Sequence, residues 1–349
     1  MKPEPSRIDP VFSPRPWGAR SLAPLFPEKT NLAEPLGEAW LTSVDCRIAS
    51  GPFKDKTLGT AWREMFTDWR GTNLASVANF PILVKFLFPT EKLSIQVHPN
   101  DAYASAHEQA AGGRGKTEMW HVVSAQPGAR LLLGLNSGVT KEQFQAQLGS
   151  ECLEELLKAY AVARGETFFI PAGTPHTIGP GMILCEVQQY SDLTYRLYDY
   201  GRIGLDGKPR ELHIAKALDV MNFENTADSR VKSLPLPSHD VLKLFLAGCS
   251  YFATERWEFS SDLISDSAPA HFDILVILSG SGVLQWQDGE QNYRSGQCWL
   301  IPASLGRFEL KPKENSSLVR TYVPDLLALR AEFRNEGIEK VKVSTVLFG

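Results

Sequence analysis

Residues 165–176 have the sequence GETFFIPAGTPH. The stretch follows the spacing G-x5-P-x-G-x2-H without a gap, and its fixed positions are Gly165, Pro171, Gly173 and His176. Proline cannot donate to a sheet ladder, so Pro171 ends the apolar run before it. Gly173 allows the positive φ of a tight turn. The pattern therefore predicts a strand, a turn and a histidine held at a fixed angle on the next strand.

Short runs rich in β-branched and aromatic residues dominate the chain on both sides of this stretch. Their length, and the Gly, Pro, Asn and Asp between them, predict strands of a sandwich or barrel. Strands and helices do not alternate regularly, which argues against a doubly wound sheet or a TIM barrel. The sequence therefore predicts a mainly β fold. Its clearest strands lie within 81–89, 93–99, 119–125, 129–135, 166–172 and 182–190.

A change of composition divides the chain. Residues 224–240 are polar and contain prolines, which predicts a connector. The strand pattern resumes after it, in 271–286 and 296–310. We therefore expect a first domain at 1–223, with N-terminal strands, and a second β-rich domain at 241–349.

Helical patterns interrupt the strands in two places. Residues 140–162 space apolar residues three and four apart with carboxylates between them, which predicts a short amphipathic helical insertion. Residues 211–223 predict a second helix after a turn-rich segment.

Four side chains offer a set of metal ligands. Gln96 and His98 are two residues apart in an alternating apolar run, so on a strand they point to the same face. His176 adds an imidazole and Glu118 a carboxylate. Such a set suits zinc, and also manganese, iron or cobalt. Taken alone, each residue is typical of an ordinary core or surface position, and His121 alternates away from Glu118 as a core histidine would.

Residues 165–176 resemble the second motif of the cupin superfamily, whose histidine is a metal ligand at the mouth of a jelly-roll barrel. From about residue 14 onward the chain resembles the type I mannose-6-phosphate isomerase family, in its compact bacterial branch. Two positions depart from the pattern: Pro180 replaces an Asn, and Met119 stands where compact relatives often carry a cysteine. The matching segments are PWG (16–18), GEAW (37–40), KFLFPTEKLSIQVHPND (85–101), GKTEMWHV (115–122), GETFFIPAGTPHTI (165–178), EVQQYSDLTYRLYDYGR (186–202) and LHIAKAL (212–218).

This resemblance implies two cupin units in series and one divalent metal ion, with zinc the first candidate. It implies that the metal ligands are Gln96, His98, Glu118 and His176. The implied reaction interconverts mannose 6-phosphate and fructose 6-phosphate through an enediol, whose negative charge a metal would stabilise. Arg196 is implied as the active-site arginine, and it would hold developing charge or the phosphate because arginine stays protonated.

Lys116, two residues before Glu118, is a second candidate catalytic residue. We expect it to contact the substrate phosphate or to lower the pKa of a neighbouring group. Lys85 and Arg202 are weaker phosphate candidates. The residue types leave the proton-transferring group open among four candidates: a metal-bound water, Glu38, Lys116 and a group near His98.

Residues 296–307, GQCWLIPASLGR, repeat the glycine, the five-residue run and the proline of 165–176. They end on Arg307 in the place of His176, and no Q-x-H or H-x-H pattern precedes them. We therefore expect the second unit to be free of metal and to extend the core of the first.

Charge and composition limit the partners. The 349 residues carry a formal net charge of −4 without a basic run, which argues against a nucleic-acid partner. The five cysteines are scattered, the N-terminus lacks the apolar core of a signal peptide, and no apolar stretch has the length of a membrane span. We therefore expect a cytoplasmic monomer or homodimer that binds a small sugar phosphate and no membrane.

Two other functions compete with isomerisation. Another metal-dependent cupin enzyme, such as an oxygenase, would carry similar ligands. A non-catalytic sugar-phosphate sensor would keep the pocket without turnover. The basic residues Lys116, Arg196 and Arg202 favour an anionic substrate over an oxygenase substrate, and the intact ligand set argues against a sensor.

Overall fold

The computed structural model describes residues 2–224, 227–238 and 241–349; positions 225–226 and 239–240 of the predicted connector lie outside the described residues. The strands are β1 Ser6–Asp9, β2 Val11–Ala19, β3 Leu36–Trp40, β4 Arg47–Ile48, β5 Ile82–Leu87, β6 Ile95–Val97, β7 Glu118–Ala125, β8 Arg130–Leu135, β9 Leu157–Ala161, β10 Thr167–Ile170, β11 His176–Ile178, β12 Met182–Gln189, β13 Tyr195–Tyr198, β14 Arg230–Val231, β15 Leu234–Leu236, β16 Leu242–Gly248, β17 Ala253–Phe259, β18 Leu263–Asp266, β19 Asp273–Ser279, β20 Ser281–Trp286, β21 Gly289–Arg294, β22 Cys298–Ile301, β23 Arg307–Pro312 and β24 Ser316–Tyr322. The helices are α1 Leu58–Glu64, α2 Thr67–Arg70, α3 Asp101–His107, α4 Lys141–Ala146, α5 Ile214–Val220, α6 Leu326–Asn335 and α7 Lys340–Val343.

The strands form four antiparallel sheets, which confirms the prediction of a mainly β fold. A five-stranded sheet has the order β13-β6-β11-β8-β9 and a seven-stranded sheet the order β14-β10-β7-β12-β5-β3-β2. An eight-stranded sheet has the order β15-β16-β17-β24-β19-β22-β1-β4 and a four-stranded sheet the order β18-β23-β20-β21. The strand runs predicted from β-branched and aromatic residues all lie in these sheets.

The sheets stack as layers because each large sheet buries apolar side chains on both faces. Trp120 of β7 packs with Leu133 of β8 between the five-stranded and seven-stranded sheets. Phe86 and Phe245 belong to the large core between the seven-stranded and eight-stranded sheets. Trp257 belongs to the core between the eight-stranded and four-stranded sheets. The site described below lies in the first of these three spaces.

Short helices cover the outer face of the five-stranded sheet. One prediction for this region is wrong in part. The predicted insertion at 140–162 is helical only in α4 and in a 3-10 turn at Glu151–Leu156, and Leu157–Ala161 is a strand. Helix α4 ends at Ala146, Gly149 with φ 79° lies in the turn that follows, and β9 later pairs with β8. For residues 157–161, hydrogen bonding to β8 outweighs the helical preference that their apolar spacing suggests. The helix predicted within 211–223 is confirmed as α5.

The N-terminal strands enter two different sheets. β1 pairs with β22 of the eight-stranded sheet, with Ser6 opposite Leu300, whereas β2 pairs with β3 of the seven-stranded sheet. Within the predicted connector, β14 pairs with β10 and β15 with β16. The chain therefore crosses between the layers at its N-terminus as well as at the connector. No helix within the described ranges is long and apolar enough to cross a membrane.

Candidate metal centre and active-site pocket

A row of polar side chains crosses the five-stranded sheet. Arg196 on β13 lies opposite Gln96 on β6, and Gln96 lies opposite His176 on β11. Directly opposite residues of antiparallel strands point to the same face. The neighbours Ile95 and Val97 pack in the outer core under the helices. The row therefore faces the seven-stranded sheet.

Glu118, the first residue of β7, meets this row from the seven-stranded sheet. Its carboxylate oxygens lie 3.6 Å from Nε2 of His98 and 3.9 Å from Nε2 of His176. All three side chains are buried, and each offers a ligand atom within 4.8 Å of the others. His98, Glu118 and His176 are therefore a candidate metal-binding cluster, contributed by both sheets.

Hydrogen bonds to the backbone orient both histidine rings. Nδ1 of His98 donates to the carbonyl of Leu193 at 2.7 Å, and Nδ1 of His176 donates to the carbonyl of Thr174 at 2.9 Å. Nε2 of each ring is then the unprotonated nitrogen that a metal requires. Burial lowers the pKa of His176 to about 4 and that of His98 well below its ordinary value, which keeps both rings neutral near pH 7.

The buried carboxylate supports the same conclusion. Oε2 of Glu118 has no hydrogen-bond partner among the described residues. A buried, unpartnered carboxylate oxygen is costly unless a cation satisfies it. Two neutral imidazoles and a carboxylate fit a divalent transition metal, so the residues present fit the group that the sequence implies.

Two further predicted residues touch the cluster. The amide nitrogen of Gln96 lies 3.2 Å from Nε2 of His176, while its oxygen accepts a hydrogen bond from Ser94. The ammonium of Lys116 contacts Oε1 of Glu118 and lies 3.1 Å from Nε2 of His98. This ammonium balances the charge of the buried carboxylate.

A pocket of about 520 Å³ opens beside the cluster. Its lining is strongly charged, which suits a polar, anionic molecule. The cations in the lining are Arg15, Lys85, Lys116, Arg196 and Arg210. The carboxylates in the lining are Glu38, Glu186, Asp192 and Asp206.

The arginines of the pocket differ in how they are held. Nε of Arg196 donates to the Ser94 hydroxyl at 3.3 Å and Nη1 to the Glu211 carbonyl at 3.0 Å, and neither is an ion pair. Nε of Arg210 donates to the Asp199 carboxylate at 2.7 Å, and Nη2 contacts its second oxygen. The side chain of Arg196 therefore keeps its charge available to a ligand.

The two weaker candidates for phosphate binding, Lys85 and Arg202, lie in different places. Lys85 lies in the pocket, 3.7 Å from Glu186 and 3.5 Å from Asp192. Arg202 is instead 3.6 Å from Asp199 and 3.8 Å from Glu91, outside the pocket lining. The structure therefore brings Lys85 to the site but not Arg202.

Glu38 and Glu186 line the pocket in different electrostatic settings. Burial acts to raise the pKa of Glu38, but Lys85 and Arg15 outweigh it and the net pKa is lowered. Burial, with the nearby charge of Glu118, raises the pKa of Glu186. One oxygen of Glu38 already accepts from Arg15 at 2.8 Å and from the indole of Trp40 at 2.6 Å.

Sequence reasoning missed Arg15 and Arg210, which both line the pocket. Arg15 directly precedes the family segment PWG, and Arg210 follows the turn-rich segment before α5. Only this closeness to recognisable segments could have indicated that the two arginines belong to the site. His121 was predicted as a core histidine and is one: it is buried, and its Nδ1 lies 3.1 Å from the Thr167 hydroxyl.

Comparison with known proteins identifies the family. Two family models match: the catalytic domain of type I phosphomannose isomerase over residues 7–121, and the cupin domain of mannose-6-phosphate isomerase over residues 242–323. The mannose-6-phosphate isomerase ManA of Bacillus subtilis is 34% identical over 319 residues, which cover 89% of this chain and 97% of that protein. The chain belongs to the type I mannose-6-phosphate isomerase family.

Other members of the mannose-6-phosphate isomerase family agree in length and fold. The mannose-6-phosphate isomerase of Streptococcus mutans is 31% identical, over 83% of this chain and 89% of that protein. The crystal structure of the mannose 6-phosphate isomerase from Bacillus subtilis superposes with a TM-score of 0.83 at 29% identity, covering 91% of this chain and 99% of that one. The family resemblance inferred from the sequence motifs is therefore confirmed.

Proposed function

We propose that this protein interconverts mannose 6-phosphate and fructose 6-phosphate as a metal-dependent aldose–ketose isomerase. The observation that carries the proposal is the buried cluster of His98, Glu118 and His176, which borders a pocket lined by five cations. A metal and an anion-binding wall in one cavity are what a sugar-phosphate isomerisation requires. Membership of the family supports the same reaction.

Four residues would hold one divalent metal: Gln96, His98, Glu118 and His176. Zinc is the first candidate, because two imidazoles and a carboxylate are common zinc ligands. When bound, the metal supplies positive charge to the oxygens that become negative in the enediol. Gln96 would turn its amide oxygen toward the metal, which requires exchanging the two ends of its amide.

Arg196 would bind the negative charge of the substrate. Its guanidinium is held by neutral acceptors, so an anion can pair with it without breaking an ion pair. Arg210, fixed by Asp199, presents a second guanidinium at the same pocket. Two fixed guanidinium groups would orient the phosphate and hence the carbons that react.

Lys116 would move the proton between carbon 1 and carbon 2. Its ammonium nitrogen lies 3.1 Å from Nε2 of His98, so it reaches atoms held at the cluster. Glu38 is a weaker candidate for this step, because Arg15 and Trp40 already bind one of its oxygens. As the neutral amine, Lys116 would accept the proton from one carbon, and the ammonium that results would return it to the other.

The architecture supports two cupin units with different roles. The five-stranded and seven-stranded sheets would form the catalytic unit, and the eight-stranded and four-stranded sheets the second unit. In the second unit the side chain of Arg307 is exposed and pairs with Asp266 at 3.5 Å, which supports a metal-free, structural role. The five unpaired cysteines support a cytoplasmic location, and we expect a monomer or a homodimer.

The test is conversion of mannose 6-phosphate to fructose 6-phosphate before chelation, after chelation, and with zinc restored. We expect turnover to disappear on chelation, to return with zinc, and to be lost in His176→Ala. The exposed His107 on α3 provides a matched control, and His107→Ala should retain full activity. A folded, zinc-loaded protein without turnover would contradict the proposal.

A further inference from the structure

A second cavity lies between the seven-stranded and eight-stranded sheets. It has two adjoining parts, of about 210 Å³ and about 300 Å³. Both parts are lined by Arg164, Glu258, Ser279 and Ser317. His121 lines the smaller part from β7, and it points to the face of that strand opposite to Glu118. The cavity is therefore separate from the catalytic pocket.

Arg256 on β17 contributes a guanidinium to the smaller part of this cavity. Its Nη2 pairs with Glu258 at 3.1 Å, and its Nε is buried without a hydrogen-bond partner in the described part of the chain. Gly165 makes room for it, since a Cβ at this glycine would lie 3.0 Å from Nη1 of Arg256. The guanidinium therefore enters from one sheet past a backbone segment of the other.

Arg164 supplies a second guanidinium next to Gly165. It is exposed, and it forms no hydrogen bond or ion pair with any described residue. The hydroxyls of Ser279 and Ser317 likewise lack a side-chain hydrogen bond within the described ranges. The wall thus combines a free guanidinium, a partly satisfied guanidinium and two free hydroxyls.

The charges of these arginines act on the cavity wall. The pKa of His121 is lowered to about 3, first by burial and then by the positive charges of Arg256 and Arg164. Glu258 offsets one of the two positive charges. The lining named here therefore keeps one net positive charge together with several donors.

We propose that this cavity binds a small oxyanion of the phosphate class. Guanidinium groups recognise tetrahedral oxyanions through paired N–H donors, and serine hydroxyls add neutral donors. The volume admits inorganic phosphate or the phosphoryl end of a sugar phosphate. A bound anion would touch Arg256, Ser279 and Ser317 of the eight-stranded sheet and Arg164 in the loop before β10, and would link the two layers. This inference does not depend on the catalytic activity.

Calorimetric titration with inorganic phosphate tests the site in solution. The zinc-loaded Arg196→Gln/Arg210→Gln protein, in which the catalytic pocket is weakened, serves as the background. Adding Arg164→Gln or Arg256→Lys should weaken phosphate binding at least about tenfold, because each removes charged hydrogen bonds. Arg164→Gln alters an exposed side chain without protein partners, so it should fold normally and, alone, leave turnover unchanged.

Selenate, a phosphate-shaped anion with an anomalous signal, locates the site in crystals of the zinc-loaded protein. We expect a selenium peak between Arg164 and Arg256. Unchanged phosphate affinity in both variants, no phosphate binding to the background protein, or selenate only beside Arg196 would each overturn the proposal. If adding Arg164→Gln to the background protein weakens mannose 6-phosphate binding more than phosphate binding, a sugar phosphate is the ligand. The reverse would identify free phosphate, and both outcomes support the site.

Discussion

Gln96 and His176 lie directly opposite each other across the antiparallel pair β6–β11, with side-chain nitrogens 3.2 Å apart. The sheet register therefore sets their separation, and a slip of one residue would turn one of them to the outer face. Arg196 lies opposite Gln96 on the other side. Because three adjacent strands carry this row, features that fix the register should control metal binding as strongly as the ligands themselves.

Gly173 is one such feature. It has φ 86°, its N–H donates to the His98 carbonyl at 2.8 Å, and a Cβ there would lie 2.9 Å from the Val220 carbonyl oxygen. Gly138 has φ 84° with no atom near its Cβ position and is the matched control. We expect Gly138→Ala to lower the free energy of unfolding by about 1–2 kcal/mol, and Gly173→Ala by about 1–3 kcal/mol more. Urea unfolding measures both.

Zinc content measured on the same two proteins separates stability from site geometry. Gly173→Ala should also weaken zinc binding, because it displaces the segment that ends in His98. Gly138→Ala should bind zinc normally. If both variants lose the same stability and the same zinc affinity, the turn at Gly173 does not position His98.

The contact between Lys116 and Glu118 predicts strong coupling in the metal-free protein. Both side chains are buried, so removing either charge leaves the other uncompensated. Lys116→Met and Glu118→Gln should each lower the free energy of unfolding by about 3–5 kcal/mol. The double variant should lose clearly less than the sum, as measured by urea unfolding after chelation. Additive losses would mean that the two charges do not depend on each other.

Arg210 should contribute to substrate binding more than to chemistry. It is fixed by Asp199 at the pocket wall, where it can pair with the phosphate. We expect Arg210→Gln to raise KM for mannose 6-phosphate about tenfold or more with a smaller change in kcat, since hydrogen bonds to charged groups contribute about 1.5–3 kcal/mol. Arg130→Gln, at an exposed arginine outside this pocket, should change neither constant. A fall in kcat alone would exclude a binding role.

His121 should make stability depend on pH. Burial lowers its folded pKa to about 3, below the ordinary value of 6.5, so only the unfolded chain gains its proton as the pH falls below 6.5. The stability due to the neutral ring is complete above pH 6.5 and is lost as the pH falls toward 3. Between pH 7 and pH 5 the unmodified protein should lose about 2 kcal/mol more than His121→Gln. Identical losses in urea unfolding at the two pH values would contradict this.

The candidate metal-binding cluster could be predicted because its signals are local. The Q-x-H alternation fixes the common face of Gln96 and His98, and the motif ending in His176 fixes the turn that presents its ring. Glu118 needed the family resemblance, since a lone glutamate carries no pattern. The structure adds the reason for their meeting, which is that two sheets face each other across one space.

The pocket wall could not be predicted in the same way. Arg15 and Arg210 reach it from segments without a hydrophobic period, where the direction of a side chain depends on tertiary contacts. The sequence predicts a helix through 157–161, but the apolar spacing there fits the two-residue period of a strand as well as the 3.6-residue period of a helix. Pairing with β8 decides in favour of a strand. The pairing of β1 with β22 has no local signal at all, because the partners lie at opposite ends of the chain.

That last pairing affects how the chain is made. A ribosome adding roughly 5–20 residues per second produces β1 on the order of 15–60 s before β22. Throughout this interval β1 has no permanent partner on that side, and an open strand edge invites pairing with other chains. Arg7 and Asp9 place opposite charges on this short strand, which discourages such pairing. A nascent chain cut at the connector would keep this edge exposed and should aggregate, although every predicted metal ligand would be present.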